Sequence, residues 1–190
     1  MDLTDNFEKK HHPLLSFSKK EKYIFLKRFD TPLGTMTACA DEKGICLLEF
    51  SDRKTLPAEL EEISKYFDAN IVPEENPHFT ILENELSEYF DGKRKAFTVP
   101  LSLVGTDFQK SVWHVLQQIP YGETWSYSRQ ARILGDAKKV RAVANANALN
   151  KICIIIPCHR VVGSNGKLTG YSGGIWRKQK LLELEKAILF

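Results

Sequence analysis

Cys158 and His159 stand side by side in the run Ile-Cys-Ile-Ile-Ile-Pro-Cys-His-Arg-Val-Val, residues 152–162. A thiol is a useful nucleophile only as its thiolate, and an adjacent imidazole or a cation such as Arg160 favours that form. So many β-branched residues in a row predict a buried strand, ending at Pro157, which has no N–H to give to a ladder. Neighbouring side chains of a strand face opposite ways. Cys158 and His159 can therefore cooperate only if the chain turns at Pro157. The same residues also fit a buried structural cysteine beside a hydrogen-bonded histidine, and Cys153, within the run, reads as such a cysteine.

The elements that must hold this pair lie on both sides of it. Downstream, residues 163–167 read as a turn, residues 170–174 (Gly-Tyr-Ser-Gly-Gly) as a glycine-flanked loop with two hydroxyls, and the chain from Trp176 as a last helix carrying Leu181, Leu182 and Glu185. Upstream, residues 107–119 place Phe108, Val112, Val115, Leu116 and Ile119 at helical spacing, and Pro120-Tyr121-Gly122 stops that helix. A short helix over 126–134, a Gly135-Asp136 turn and an alanine-rich helix over 137–149 give the outline of a helix-turn-helix. The last of these turns Val140, Val143, Ala144 and Asn147 to one side. Lys138, Arg141, Ala142 and Asn145 fall together on the other, where small side chains would let the backbone approach a partner while Arg141 projects. An ordinary amphipathic helix favoured by alanine propensity has the same pattern.

The amino-terminal half reads differently. Residues 1–20 form a polar tail. Strands are expected at 23–29, 35–40 and 45–50, joined by Thr31-Pro32-Leu33-Gly34 and Asp41-Glu42-Lys43-Gly44 as an antiparallel meander. Helices follow at 57–67 and 79–90. The chain of 190 residues is 43% hydrophobic and 27% charged, which suits a globular protein and excludes disordered and fibrous classes. Its net charge of +3 hides a division. Residues 1–104 carry 14 Lys/Arg against 19 Asp/Glu, and residues 105–190 carry 13 against 5, so the second half could meet a polyanion. No run is long enough to span a bilayer, no secretory signal is expected, and four cysteines point to a reducing compartment rather than a disulfide scaffold. Cytoplasmic location follows as an expectation, nuclear in a eukaryote.

Five motifs together resemble the O6-alkylguanine-DNA alkyltransferases, the methylated-DNA–protein-cysteine methyltransferases. They are Pro157-Cys158-His159-Arg160-Val161-Val162, Gly122-Glu123-Thr124 with Ser126-Tyr127, Arg141-Ala142-Val143, Tyr171-Ser172-Gly173-Gly174, and Leu181-Leu182 with Glu185. The resemblance implies that Cys158 accepts the alkyl group from O6 of a flipped guanine, and O4-alkylthymine as a second lesion. It implies that His159 acts through a water as the base, Glu185 orients and charges the histidine, Asn150 pins the helix-turn-helix against the reactive turn, and Tyr127 donates a proton to guanine N3. By the same resemblance Arg141 fills the stack left by the extruded base, beside Ala142, Lys138 and Asn145 on the DNA-facing helix, while Val161, Tyr171 and Ser172 line the base pocket. The implied partner is double-stranded DNA carrying the lesion, with no cofactor, no membrane and a monomeric protein that is consumed in one turnover.

The chemistry also fits the residue types taken alone. Displacement at an O-alkyl carbon needs a soft anionic nucleophile, and the departing purine leaves best as a phenol protonates it. The target atom is inaccessible in a duplex, so the base must be extruded at a few kcal/mol. Three departures stand out: Lys151-Ile152-Cys153 where the family has a proline-containing turn, Trp125 where a smaller residue is common, and Asn145 and Asn147 on the second helix. Cys39, Cys46, His11, His12 and His78 do not reproduce the zinc spacing of some relatives, so no metal is expected. Competing readings are a non-catalytic lesion sensor, a helix-turn-helix regulator and a Cys-His hydrolase.

The expected architecture is α+β. A tail (1–20) leads to a small antiparallel three-stranded sheet with helices (21–100), ribonuclease H-like by resemblance. A mostly helical winged-helix or helix-turn-helix-like domain (101–190) follows.

Overall fold

A computed structural model describes residues 22–187; the tail expected at 1–20, with His11 and His12, lies outside the described residues. The chain opens with β1 (Lys22–Phe29), β2 (Met36–Ala40) and β3 (Ile45–Phe50), then α1 (Leu56–Phe67), β4 (Ala69–Val72) and α2 (Pro77–Phe90). The second half holds α3 (Asp107–Leu116), β5 (Trp125–Ser126), α4 (Tyr127–Ile133), α5 (Val140–Ala148), β6 (Val161–Val162) and α6 (Ile175–Leu184). This is the α+β architecture expected, with two corrections.

The sheet has four strands, in the order β3-β2-β1-β4. The meander is antiparallel as expected, but β4 runs parallel to β1, from Lys22 opposite Ala69 to Phe25 opposite Val72. Asp68 ends α1 in the left-handed region at φ 47°, which turns the chain straight into β4. Four residues between a helix and Pro73 leave too short a pattern to read as a strand. Every residue of β2 and β3 is buried, because both faces of the sheet are covered. Successive residues go to opposite sides, except at Cys46, where the β2–β3 register shifts between Cys39 and Ala40 and leaves Cys46 and Leu47 in the same cluster. Cys39, Cys46 and Leu47 meet Leu56 and Ile63 of α1, whereas Ala38, Ala40, Leu48 and Phe50 share a core with α2, α3 and the rest of the second half.

The second correction concerns residues 152–156, which are not a strand. Only Ile152 pairs, with Leu48 of β3. The chain then folds on itself: Ile155 N–H bonds to Cys153 O, Ile156 N–H to Ile152 O and Cys158 N–H to Ile156 O. Ile154 sits at φ 70°, a costly conformation for a β-branched residue. The Asn150 side chain holds this turn. Its Oδ1 accepts from Ile152 N–H at 3.0 Å, and its Nδ2 donates to Ile156 O at 2.9 Å. The apolar composition specifies burial, and the amide side chain supplies the bonds that a neighbouring strand would otherwise give. Cys153 is buried as expected, at 1% exposure, though in a turn.

In the helix-turn-helix region, α4 begins one residue later than expected, with Ser126 Oγ accepting from Arg129 N–H at its start. The second helix opens with a tight 3₁₀ turn, Ala137–Lys139, before α5 proper. Trp113 of α3 donates its indole N–H to Ala146 O at 2.8 Å and fixes α5 against the core.

Candidate active site

Cys158, His159 and Arg160 form one turn of 3₁₀ helix immediately after Pro157. The chain does turn where cooperation required it. Cys158 is buried at 6% exposure, and its Sγ accepts from Asn150 Nδ2 at 3.3 Å. Burial pushes the thiol up to about 11, with the Asn150 amide pulling the other way.

His159 is fully buried. Its Nε2 lies 2.9 Å from Glu185 Oε1. Glu185, just past the end of α6, also takes Arg160 Nε on Oε2 at 2.8 Å and Arg160 Nη2 on Oε1 at 3.0 Å. Burial opposes ionisation of Glu185, but His159 and Arg160 outweigh it and hold the carboxyl at about 2. An ionised carboxylate can only accept, so Nε2 carries the hydrogen and Nδ1 keeps its lone pair. Nδ1 is buried with no hydrogen-bond partner among the described residues. Burial holds the imidazole below its ordinary value, against the pull of Glu185. The resting pair is thus a neutral thiol beside a neutral imidazole with one basic nitrogen to spare. Arg160 was expected near the sulfur. The structure commits it instead to Glu185 and, through Nη1, to Ile119 O at 2.7 Å.

A cavity of about 480 Å³ opens beside the sulfur. It is lined by Cys158 and Tyr127, by Ala144, Asn147 and Ala148 of α5, and by the loop from Thr169 to Ser172. Tyr127 Oη donates to Thr169 O at a long 3.5 Å, and Ser172 Oγ is buried with no partner among the described residues. Gly173 has no room for a side chain, since an added Cβ would lie 2.9 Å from the Phe50 ring. The loop is therefore pressed against the sheet. Val161, expected in the pocket lining, lies outside it, buried in β6 with its carbonyl bound to Lys178 Nζ. Arg141, Ala142 and Asn145 are exposed on α5 and Lys138 in the turn before it, while Asn147 is buried and donates to Gln130 Oε1 at 2.7 Å.

Sequence reasoning missed Lys178, Tyr89 and Arg177. Lys178 is fully buried and donates to Val161 O at 2.5 Å, Thr169 O at 2.6 Å and Gly170 O at 3.3 Å, so it fastens the cavity loop to the residues after Arg160. Its spacing to Leu181, Leu182 and Glu185 was a usable signal, a lysine on the apolar face of an amphipathic helix. Arg177 forks onto Asp52 at 2.9 and 2.8 Å and also donates to Leu33 O and Gly173 O. Among the described residues, no cluster of three or more His, Cys, Asp or Glu could hold a metal, and no helix is long and apolar enough to cross a membrane.

Known proteins resemble this chain along most of its length. The family model for the 6-O-methylguanine DNA methyltransferase ribonuclease-like domain matches residues 22–103, and that for its DNA-binding domain matches residues 107–187. A methylated-DNA–protein-cysteine methyltransferase of Methanosarcina acetivorans is 42% identical over 157 residues, 83% of this chain and 95% of that protein. A crystal structure of Mycobacterium tuberculosis O6-methylguanine methyltransferase superposes with a TM-score of 0.74 at 40% identity, covering 86% of this chain and 93% of that one. A crystal structure of the M. tuberculosis OGT in complex with DNA superposes at 0.72, again at 40% identity, covering 86% and 92%. With both family models matched in order and relatives of this identity along most of its length, the chain belongs to the methylated-DNA–protein-cysteine methyltransferase family.

Proposed function

We propose that this chain repairs DNA by moving the alkyl group from O6 of a flipped guanine, or O4 of thymine, irreversibly onto Cys158. The observation that carries the reading is the buried Cys158 thiol on a cavity wall, in the same turn as an imidazole whose Nε2 is bound to an ionised carboxylate and whose Nδ1 is free. The thiol proton passes through a water to His159 Nδ1, and Glu185 balances the imidazolium that results. The thiolate attacks the O-alkyl carbon; the S–C bond forms as the C–O bond breaks. The electron pair moves into the purine, which takes a proton at N3 from Tyr127. Asn150 steadies the sulfur, and Ser172 and Tyr171 offer polar lining to the base. A thioether does not hydrolyse under these conditions, so each chain acts once. Arg141 fills the gap in the stack, flanked by Ala142, Asn145 and Lys138 against the phosphates. We assign residues 21–100 as the supporting domain and 101–190 as the reactive, DNA-facing one, in a cytoplasmic monomer.

Incubation with duplex containing O6-methylguanine, followed by intact-mass measurement, tests this reading. One methyl is expected per chain, and none on Cys158→Ala. A chain that gains nothing, or that turns over repeatedly, overturns it.

The wedge role carries its own measurement. Arg141→Ala should slow repair of duplex by ~10-fold or more, since unaided extrusion costs a few kcal/mol, and leave reaction with free O6-benzylguanine nearly unchanged. Equal losses on both substrates would remove Arg141 from that role.

A further inference from the structure

We propose that Tyr89 of the amino-terminal half is a positioning residue of the alkyl transfer, acting through Glu185 on His159. This inference rests on the function proposed above.

Tyr89 lies on α2, and its Oη donates to Glu185 Oε1 at 2.6 Å. That oxygen is the one that meets His159 Nε2 at 2.9 Å, and Arg160 Nη2 reaches it as well. Three donors from two halves of the chain thus converge on one oxygen. The phenol cannot move away. Tyr89 is fully buried, with Phe97 at 5.3 Å, Phe90 at 5.4 Å and Tyr121 at 6.3 Å between ring centroids. Burial, and then the Glu185 carboxylate beside it, keeps the hydroxyl protonated, so it acts only as a donor.

A donor on a carboxylate draws charge from it and fixes its rotamer. Charge drawn towards Tyr89 is charge not offered to the imidazole. Tyr89 therefore restrains how readily His159 takes and keeps a second hydrogen, and it selects which oxygen of Glu185 faces the ring. Other charged and titratable groups around the pair are Arg160 on Glu185, Lys178 from α6, Tyr121 from the segment before β5, Cys158 in the same turn and Tyr171, whose ring centroid is 6.5 Å from that of His159. Tyr89→Phe leaves all of these in place and removes one oxygen.

The test uses the full chain and free O6-benzylguanine, which needs no DNA docking. The rate of benzyl transfer is followed against pH, and the His159 imidazole is titrated by NMR. In Tyr89→Phe the His159 midpoint is expected to rise by roughly half a unit, and the acid limb of the rate profile is expected to move up with it. Phe97→Leu, which loosens the same packing without touching the donor, is expected to lower the unfolding midpoint and leave both pH readouts where they are. A Tyr89→Phe protein with the parental midpoint and profile overturns the proposal, as does a Phe97→Leu protein that shifts them equally. A parent chain that takes neither the benzyl group nor the methyl group of duplex O6-methylguanine overturns instead the function on which the inference rests, and Tyr89 loses its role with it; a parent that takes only methyl has the same pH profile read on the duplex.

Discussion

Glu185→Gln should unfold at markedly lower denaturant than the parent and, while still folded, transfer alkyl groups roughly 10²–10⁴ times more slowly, the span of a lost acid–base relay. The glutamine keeps the size of the side chain but turns one acceptor into a donor. Whichever way the amide faces, it meets Arg160, which donates to both Glu185 oxygens from a site only 6% exposed. A buried guanidinium without its counter-charge costs about 3–5 kcal/mol, a large part of a typical stability of about 5–15 kcal/mol. The rate falls for a separate reason, because the imidazolium that forms as the thiol ionises has lost its balancing charge. The sign with pH follows from the depressed carboxyl. Its ordinary value is 4.5 and its folded value about 2, so the stability it contributes is fully present above 4.5 and drains away as pH falls towards 2. Denaturant unfolding across that window should show a steep acid loss in the parent and a shallower one in Glu185→Gln. Equal slopes would mean that the carboxylate is not the stabilising group.

Lys178→Met should lower the rate of benzyl transfer by about 10–100-fold and the stability by about 3 kcal/mol, close to the cost of leaving buried polar partners unsatisfied. Methionine matches the stem but offers nothing to the carbonyls of Val161, Thr169 and Gly170, which the ammonium gathers at one buried point. Thr169 and Gly170 line the cavity, and Thr169 O also meets Tyr127 Oη. Released, this loop no longer holds the phenol or the pocket wall in register with the sulfur. The ammonium also favours the Cys158 thiolate by its charge, which methionine cannot do. Saturation kinetics separate the two effects, because a loosened pocket raises the half-saturating concentration whereas a lost charge lowers the limiting rate. An unchanged pair of constants would show that neither effect matters.

The helices were legible to within a few residues because an amphipathic stripe survives small errors of register. The segment at 152–156 was not, because a β-branched run announces burial and says nothing of whether a sheet or a side-chain amide will satisfy its backbone. Asn150, two residues upstream, carried that information. Cys158 and His159 could be paired from adjacency alone. Glu185 meets His159 across 26 positions and came only from resemblance to a family, since nothing local marks the contact. Lys178 could have been found by its place on an apolar face. Tyr89 could not, because its partner lies 96 positions away and a tyrosine in a helix stripe looks like any other core aromatic.

Leu48 of β3 bonds to the chain just ahead of the reactive turn at two points, giving its N–H to Lys151 O at 2.8 Å and accepting from Cys153 N–H at 2.9 Å. Around it, Met36 and Phe50 share one apolar interior with Val112, Ile152 and Leu181. Among the described residues, the two halves therefore share one interior. An excised carboxy-terminal fragment would keep Cys158, His159, Glu185 and Tyr127 and yet lose Tyr89 and expose that interior to water. A chimera that grafts this half onto a foreign partner would succeed only if the graft reproduces the edge that Leu48 presents.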